Sequence, residues 1–237
     1  MQTGIGRRGT NVIINHDLRI IYLKTKKVGG TSFEIALSKY CDRHDIVTPI
    51  SPEDEAVRSD LGFQGPANHT GLRRRMRYAL SDHPNRRISG DFKSHIPAAQ
   101  VFAQVGASLY RDYTKVAIHR DPLDQLISQY FFRLNKRSAE TADSFRDWIE
   151  SNHLNARENY TIAPISGPHA VDVVLSYEAL DRDITDASVL PEGLLGVFRS
   201  LNAKGNLRPQ DTRDPLKFFE DQGCSAYVEK IMASVRA

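Results

Sequence analysis

The chain reads as an α/β domain of three layers, with helices on both faces of a central, mostly parallel sheet. Three observations predict it. Ile20 to Leu23 is a short apolar run followed by a glycine-rich turn and a helical pattern from Thr31 onward. Val116 to Ile118 repeats the arrangement, with Arg120 at its end and Asp121-Pro122 opening the next helix. Val173 to Leu175 supplies a third such run. Continuous β-branched runs without polar alternation belong to strands covered on both faces.

At 237 residues, 40% of them apolar and 26% charged, the chain can bury a sizeable core as one domain, 1–237. A net charge of +3 leaves no broad basic face and speaks against a nucleic-acid partner. Cys41 and Cys224 are too few and too far apart for a metal cluster or a disulfide framework, so a reducing compartment is expected. Residues 1–15 read as a flexible N-terminal segment with no signal-peptide core. No run of about 20 apolar residues follows, so no membrane span and a cytoplasmic location are expected.

Taken in order, Ile20 to Leu23 is a central strand. Gly29 and Gly30 can take the positive φ of a tight turn, and Thr31 or Ser32 can cap the helix carrying Phe33, Ile35, Ala36 and Leu37. Ile46 to Ile50 is a short strand within a polar loop running from Asp42 to Gly71. Leu72 to Leu80 is a helix bearing Arg73, Arg74, Arg75 and Arg77. Ile88 to Phe92 reads as a strand, and Pro97 to Leu109 as a helix. Val116 to Ile118 is a buried strand, Asp121 an N-cap and Pro122 the first helical residue. A helix around Trp148, the strand from Val173 and a helix from Pro215 to Val235 complete the chain.

The turn after Ile20–Leu23 carries chemistry. Free N–H groups at a helix start, the positive end of its dipole and three lysines, Lys24, Lys26 and Lys27, converge on one point. Such a point binds an oxyanion, most often phosphate, although an ordinary βα turn has the same glycines. A Walker A loop is excluded, because Thr31 and not a lysine follows Gly30. At the second turn Arg120 stands at the carboxyl end of a strand, where open α/β sheets bind ligands. Its guanidinium fork suits a phosphate, or else a salt bridge that shapes the turn.

The loop Lys27-Val28-Gly29-Gly30-Thr31-Ser32 resembles the 5′-phosphosulfate loop of sulfotransferases, typically Pro-Lys-Thr-Gly-Gly-Thr-Ser. Lys26 stands in place of the proline and Val28 in place of the middle threonine. Arg120-Asp121-Pro122, with Ser128 eight residues after the arginine, is similar to the family's second signature, which grips the 3′-phosphate. His95 resembles the histidine between those motifs in the heparan-sulfate 2-O-sulfotransferase branch and its bacterial relatives, where it is the base. His69 is its rival. Tyr177-Glu178-Ala179-Leu180 looks like the family's Tyr-Glu-Asp-Leu element, with Ala179 for the aspartate, and Lys204 sits where relatives carry a loop over the cofactor.

The resemblance implies a P-loop nucleotide-binding fold of sulfotransferase type. Its donor is 3′-phosphoadenosine 5′-phosphosulfate (PAPS), leaving 3′-phosphoadenosine 5′-phosphate as product, and no metal is called for. Lys27, Val28, Gly29, Gly30, Thr31, Ser32, Arg120, Ser128 and Lys204 would bind the donor. Lys27 and His95 would be catalytic, and the acceptor would be a hydroxyl, most naturally of a saccharide. His69, Arg73 and Arg74 are acceptor-contact candidates, the arginines steering an acidic saccharide or forming a solvated helix face. The competing reading is a P-loop nucleotide or small-molecule kinase.

Overall fold

The computed structural model describes residues 12–92, 95–135, 143–201, 209 and 212–236. Its centre is a five-stranded sheet in the order β3-β1-β2-β4-β5, made of β1 (Val12–Asn15), β2 (Ile20–Leu23), β3 (Ile46–Val47), β4 (Thr114–His119) and β5 (Val173–Ser176). β1 pairs antiparallel with both β2 and β3, while β2–β4 and β4–β5 are parallel. The sheet is therefore mixed, and β1 alone runs against the other four. Val12–Asn15, expected within a flexible N-terminal segment, forms β1 inside the sheet, with all four residues buried. Apolar Val12-Ile13-Ile14 has the composition of a strand, and only its shortness disguised it.

Alternation along the strands builds the layers. Val12, Ile14, Ile21, Leu23 and Ala117 pack with Ile96, Val101 and Tyr110 on one face. Ile13, Ile20, Tyr22, Val116 and Ile118 pack with Phe33, Leu37, Ile184 and Leu194 on the other. The helices concerned are α4 (Ala98–Val105) and α5 (Ala107–Asp112) on the first face, and α1 (Gly30–Ser38), α9 (Leu180–Asp186) and α10 (Leu194–Ser200) on the second. Each fully buried aliphatic side chain contributes on the order of 1.5–3 kcal/mol. A third core joins α6 (Pro122–Leu134), α7 (Phe145–Asn152), α11 (Pro215–Asp221) and α12 (Ala226–Arg236), with Trp148 at 3% exposure inside it as expected. Between α7 and β5 lies α8 (Arg157–Ile162).

Several boundaries depart from the sequence reading. The polar stretch after β3 contains α2 (Pro52–Asp60), whose start is capped by Ser51 Oγ accepting from Asp54 N. That Ser-Pro opening was a legible helix signal. Ile88 to Phe92 is not a strand: Ile88 and Phe92 are core residues of a connecting segment, and Arg74 occupies the carbonyls of Ile88, Ser89 and Gly90. The expected helix Pro97–Leu109 divides at Gly106 into α4 and α5, and the last helix divides around Gly223 into α11 and α12. The arginine-rich helix is α3 (Gly71–Tyr78). Cys41 and Cys224 are free thiols. Among the described residues no helix is long and apolar enough to cross a membrane.

Candidate functional site: two anion-suited turns on neighbouring strands

β2 and β4 are adjacent and parallel, so the turns that leave them emerge at the same end of the sheet. After β2 the backbone turns left-handed at Lys27 (φ 63°) and again at Gly29 (φ 69°, ψ 12°), which is the N-cap of α1. No side chain caps this helix, so the expectation of a Thr31 or Ser32 cap is corrected. Ser32 and Phe33 donate their N–H groups to the Gly29 carbonyl, and the N–H groups of Gly30 and Thr31, in the first turn, have no helical acceptor. Gly30 has no room for a side chain: a Cβ there would lie 2.9 Å from Lys24 Cγ and 3.1 Å from Tyr22 Oη. The Val28 side chain is buried in the core, which leaves only its backbone to a ligand.

The three lysines have separate fates. Lys24 is buried, its Nζ 2.9 Å from Glu34 Oε2 and 3.0 Å from Thr31 Oγ1, while Glu34 also faces Arg58 Nη2 at 3.9 Å. Lys26 pairs with Glu158 of α8. The gathering of three like charges is thus met in part by carboxylates of the protein itself. Lys27 extends its ammonium over the Phe132 ring, 3.7 Å from the ring centre.

Side chains from distant elements hold this loop. His95 Nδ1 lies 3.0 Å from the Lys24 carbonyl, Thr25 Oγ1 donates to the Ile118 carbonyl, and Asn159 on α8 accepts from Lys26 N at 2.7 Å while donating to Lys26 O at 3.0 Å. Arg120 Nη1 donates to the Lys27 carbonyl at 2.8 Å. Arg120 is 9% exposed. Its Nε is 2.5 Å from Asp124 Oδ2, and its guanidinium carbon lies 4.1 Å from the centre of the Tyr177 ring. Among the described residues, Nε and Nη1 carry its hydrogen bonds and Nη2 makes none. Asp121 caps α6 through Oδ1, accepting from Leu123 N and Asp124 N, with Pro122 next, as the sequence predicted. Ser128 is half-buried on α6, one turn beyond Asp124 and on the same side of that helix.

A carbonyl can only accept, so neutral His95 carries its proton on Nδ1 and leaves Nε2 unprotonated. Burial lowers its pKa, the Lys24 carbonyl opposes that, and Lys26 and Lys24 lower it further. His95 is therefore neutral below the ordinary histidine value. His119 frames the end of β4, with Nε2 2.8 Å from the Ala163 carbonyl.

The acceptor candidates are not brought to this turn. Arg74 is fully buried, and its guanidinium is occupied by the carbonyls of Asn68, Ile88, Ser89 and Gly90, so it is a structural residue. His69 and Arg73 line a cavity of about 410 Å³ that shares no lining residue with the loop, His95 or Arg120. Lys204 lies outside the described residues. Sequence reasoning missed Asp124, Phe132, Glu158 and Asn159. Asp124 alone had a signal, its four-residue spacing from Arg120 on a helix.

A family model, that of the sulfotransferase family, matches residues 10–178, a span that includes both turns, His95 and β5. No curated protein and no solved structure matches the chain. With more than half of the sequence matched, and with its signature residues meeting at one end of an α/β sheet, the chain belongs to the sulfotransferase family, whose members transfer sulfuryl groups.

Proposed function

We propose that the chain transfers a sulfuryl group from PAPS to a hydroxyl of a carbohydrate acceptor. One observation carries the reading. A backbone-amide anion cradle at Gly29–Ser32 and the guanidinium of Arg120 stand on neighbouring parallel strands, joined by the bond from Arg120 to Lys27. A nucleotide bearing phosphates at both 5′ and 3′ positions requires two such anion sites at once.

The residues present fit the donor. Gly29 is exposed and carries no side chain over the start of α1, which suits close approach of an oxyanion, and Arg120 spends Nε on Asp124 and Nη1 on the Lys27 carbonyl, which leaves Nη2 for a second one. When bound, PAPS supplies the sulfuryl group and departs as the bisphosphate. The free amides of Gly30 and Thr31, with the hydroxyls of Thr31 and Ser32, would hold the 5′-phosphate, and Arg120 with Ser128 the 3′-phosphate. Lys24 Nζ donates to Thr31 Oγ1, so the Thr31 hydroxyl proton is directed elsewhere, as a donor to an anion.

Lys27, at the head of the cradle, stabilises negative charge on the leaving oxygen. That charge is larger in the transition state than in the ground state, which is the condition for raising turnover. His95 Nε2 takes the proton of the acceptor hydroxyl as it attacks. The saccharide assignment rests on the likeness of His95 to the base of the 2-O-sulfotransferase branch.

Thermal unfolding with 3′-phosphoadenosine 5′-phosphate, with 5′-AMP and with ATP plus magnesium tests the donor class. A ligand at a hundredfold excess over Kd adds about 2.7 kcal/mol. For a chain of this size that raises the midpoint by roughly 5–10 °C. A rise with the bisphosphate alone supports the reading, and a rise with ATP and magnesium alone replaces it with a kinase.

A further inference from the structure

The helix α3 turns an unusual face to solvent. Leu72 and Met76 are each 73% exposed and Leu80, just past its end, is fully exposed. Their four-residue spacing sets them in one row along the helix. Arg75 flanks the row on one side, and Arg73 and Arg77 on the other, all three exposed. Between Gly71 and Arg87 the sequence holds six arginines and one acidic residue, Asp82, and Arg86 and Arg87 are exposed too. None of the exposed arginines has a carboxylate partner among the described residues. Next to the row, Arg73 and Arg77 join Arg43 around the cavity of about 410 Å³, whose lining includes Asn68, His69 and Thr70 and no carboxylate.

A row of protruding apolar side chains gains nothing from water or from a soluble polyanion, and guanidinium groups on both flanks gain nothing from an apolar protein groove. Both are satisfied together at the boundary between anionic headgroups and acyl chains. We propose that α3 docks the protein on an anionic lipid surface. Leu72, Met76 and Leu80 enter the acyl boundary, and Arg43, Arg73 and Arg77 take a headgroup phosphate in the adjoining cavity. The site is separate from the donor site and does not depend on which donor that site uses.

Flotation of the full chain with phosphatidylcholine vesicles, with and without phosphatidylglycerol, tests this. Binding is expected only with the anionic lipid and is expected to weaken with salt. Leu72→Glu/Met76→Glu should abolish it, and Arg73→Gln/Arg77→Gln should weaken it roughly 30-fold. Both pairs are exposed, so the unfolding midpoint and its response to the bisphosphate should stay unchanged. Absence of vesicle binding, or binding indifferent to the Leu72/Met76 pair, overturns the proposal. So does capture by soluble heparin in place of vesicles, which would assign the face to an acidic polysaccharide. A concentration-dependent dimer lost in the Leu72/Met76 variant would assign it to a second copy of the chain and overturn it equally.

Discussion

Arg120 on the turn after β4 donates to the carbonyl of Lys27 on the turn after β2, 2.8 Å away and 93 positions earlier in the chain. One guanidinium thereby holds the left-handed backbone of Lys27, and in the proposed function it also meets the 3′-phosphate. Removing it should do two things at once. Arg120→Ala is expected to weaken bisphosphate binding by roughly 10- to 100-fold, the value of a charge-assisted hydrogen bond. Arg120→Lys should rescue little, since an ammonium cannot hold Asp124, the Lys27 carbonyl and a phosphate in one plane. Calorimetric titration of both variants measures this.

Lys27 and His95 should separate by kinetics. Lys27→Met is expected to lower kcat by about 10²–10³ with bisphosphate affinity nearly unchanged, because the charge it meets develops only in the transition state. His95→Asn should cost about 10²–10⁴ in kcat/KM. Burial lowers the His95 pKa, so the wild-type rate should rise with pH along a limb lying below the ordinary value of 6.5. That limb should vanish in His95→Asn. A limb that persists there would assign the base elsewhere.

Gly30→Ala isolates the cradle. Alanine favours helix, yet its Cβ would press on Lys24, whose ammonium is tied to Glu34 and cannot retreat cheaply. Overpacking of this kind costs about 1–3 kcal/mol. The midpoint should fall by roughly 2–4 °C per kcal/mol, together with bisphosphate affinity.

At the opposite end of β1, His16 reports on acid stability. Its Nε2 faces Asn85 Oδ1 at 3.1 Å and its Nδ1 faces the Tyr113 hydroxyl at 2.8 Å, while the Asn85 amide nitrogen is fixed on the His44 carbonyl. Both ring nitrogens are satisfied in the neutral form. Burial lowers its pKa to about 4, the Asn85 bond opposing and the nearby His83 assisting. The unfolded chain takes up a proton near 6.5 that the folded one refuses until about pH 4. Stability should therefore rise with pH across that window and fall as acid is added, by at most about 3 kcal/mol from this residue. Denaturant titrations of the wild type and of His16→Gln at pH 7 and pH 4.5 should differ in slope with pH for that reason.

The sites legible in the sequence were those where one short segment carries its own meaning. Ile20–Leu23 with Gly29 and Gly30, and Val116–Ile118 with Asp121-Pro122, each encode strand, turn and helix start within about a dozen residues; the second appears as read, and the first differs in that Gly29 and not Thr31 or Ser32 is the N-cap. β1 was hidden because four residues are too few for periodicity, and its direction depends on pairing with β2. The partners of the lysines were hidden for a different reason. Glu158 and Asn159 reach the loop from α8, more than 130 positions away, and no local pattern announces a contact of that span. Arg74 misled because a charged residue in an arginine run looks solvated. Its burial follows from four backbone carbonyls that only the folded chain collects.

Asn159 has a consequence for the order of events. Its amide grips both the N–H and the carbonyl of Lys26, so α8 and the cradle are mechanically one piece. Any ligand that stiffens the cradle must also stiffen α8, and reciprocity requires that whatever stiffens α8 tightens the cradle by the same factor. Both charges of the Lys26–Glu158 pair at this joint act on His95, Lys26 lowering its pKa and Glu158 raising it. Amide exchange in residues 157–162 should consequently slow when the bisphosphate alone is added.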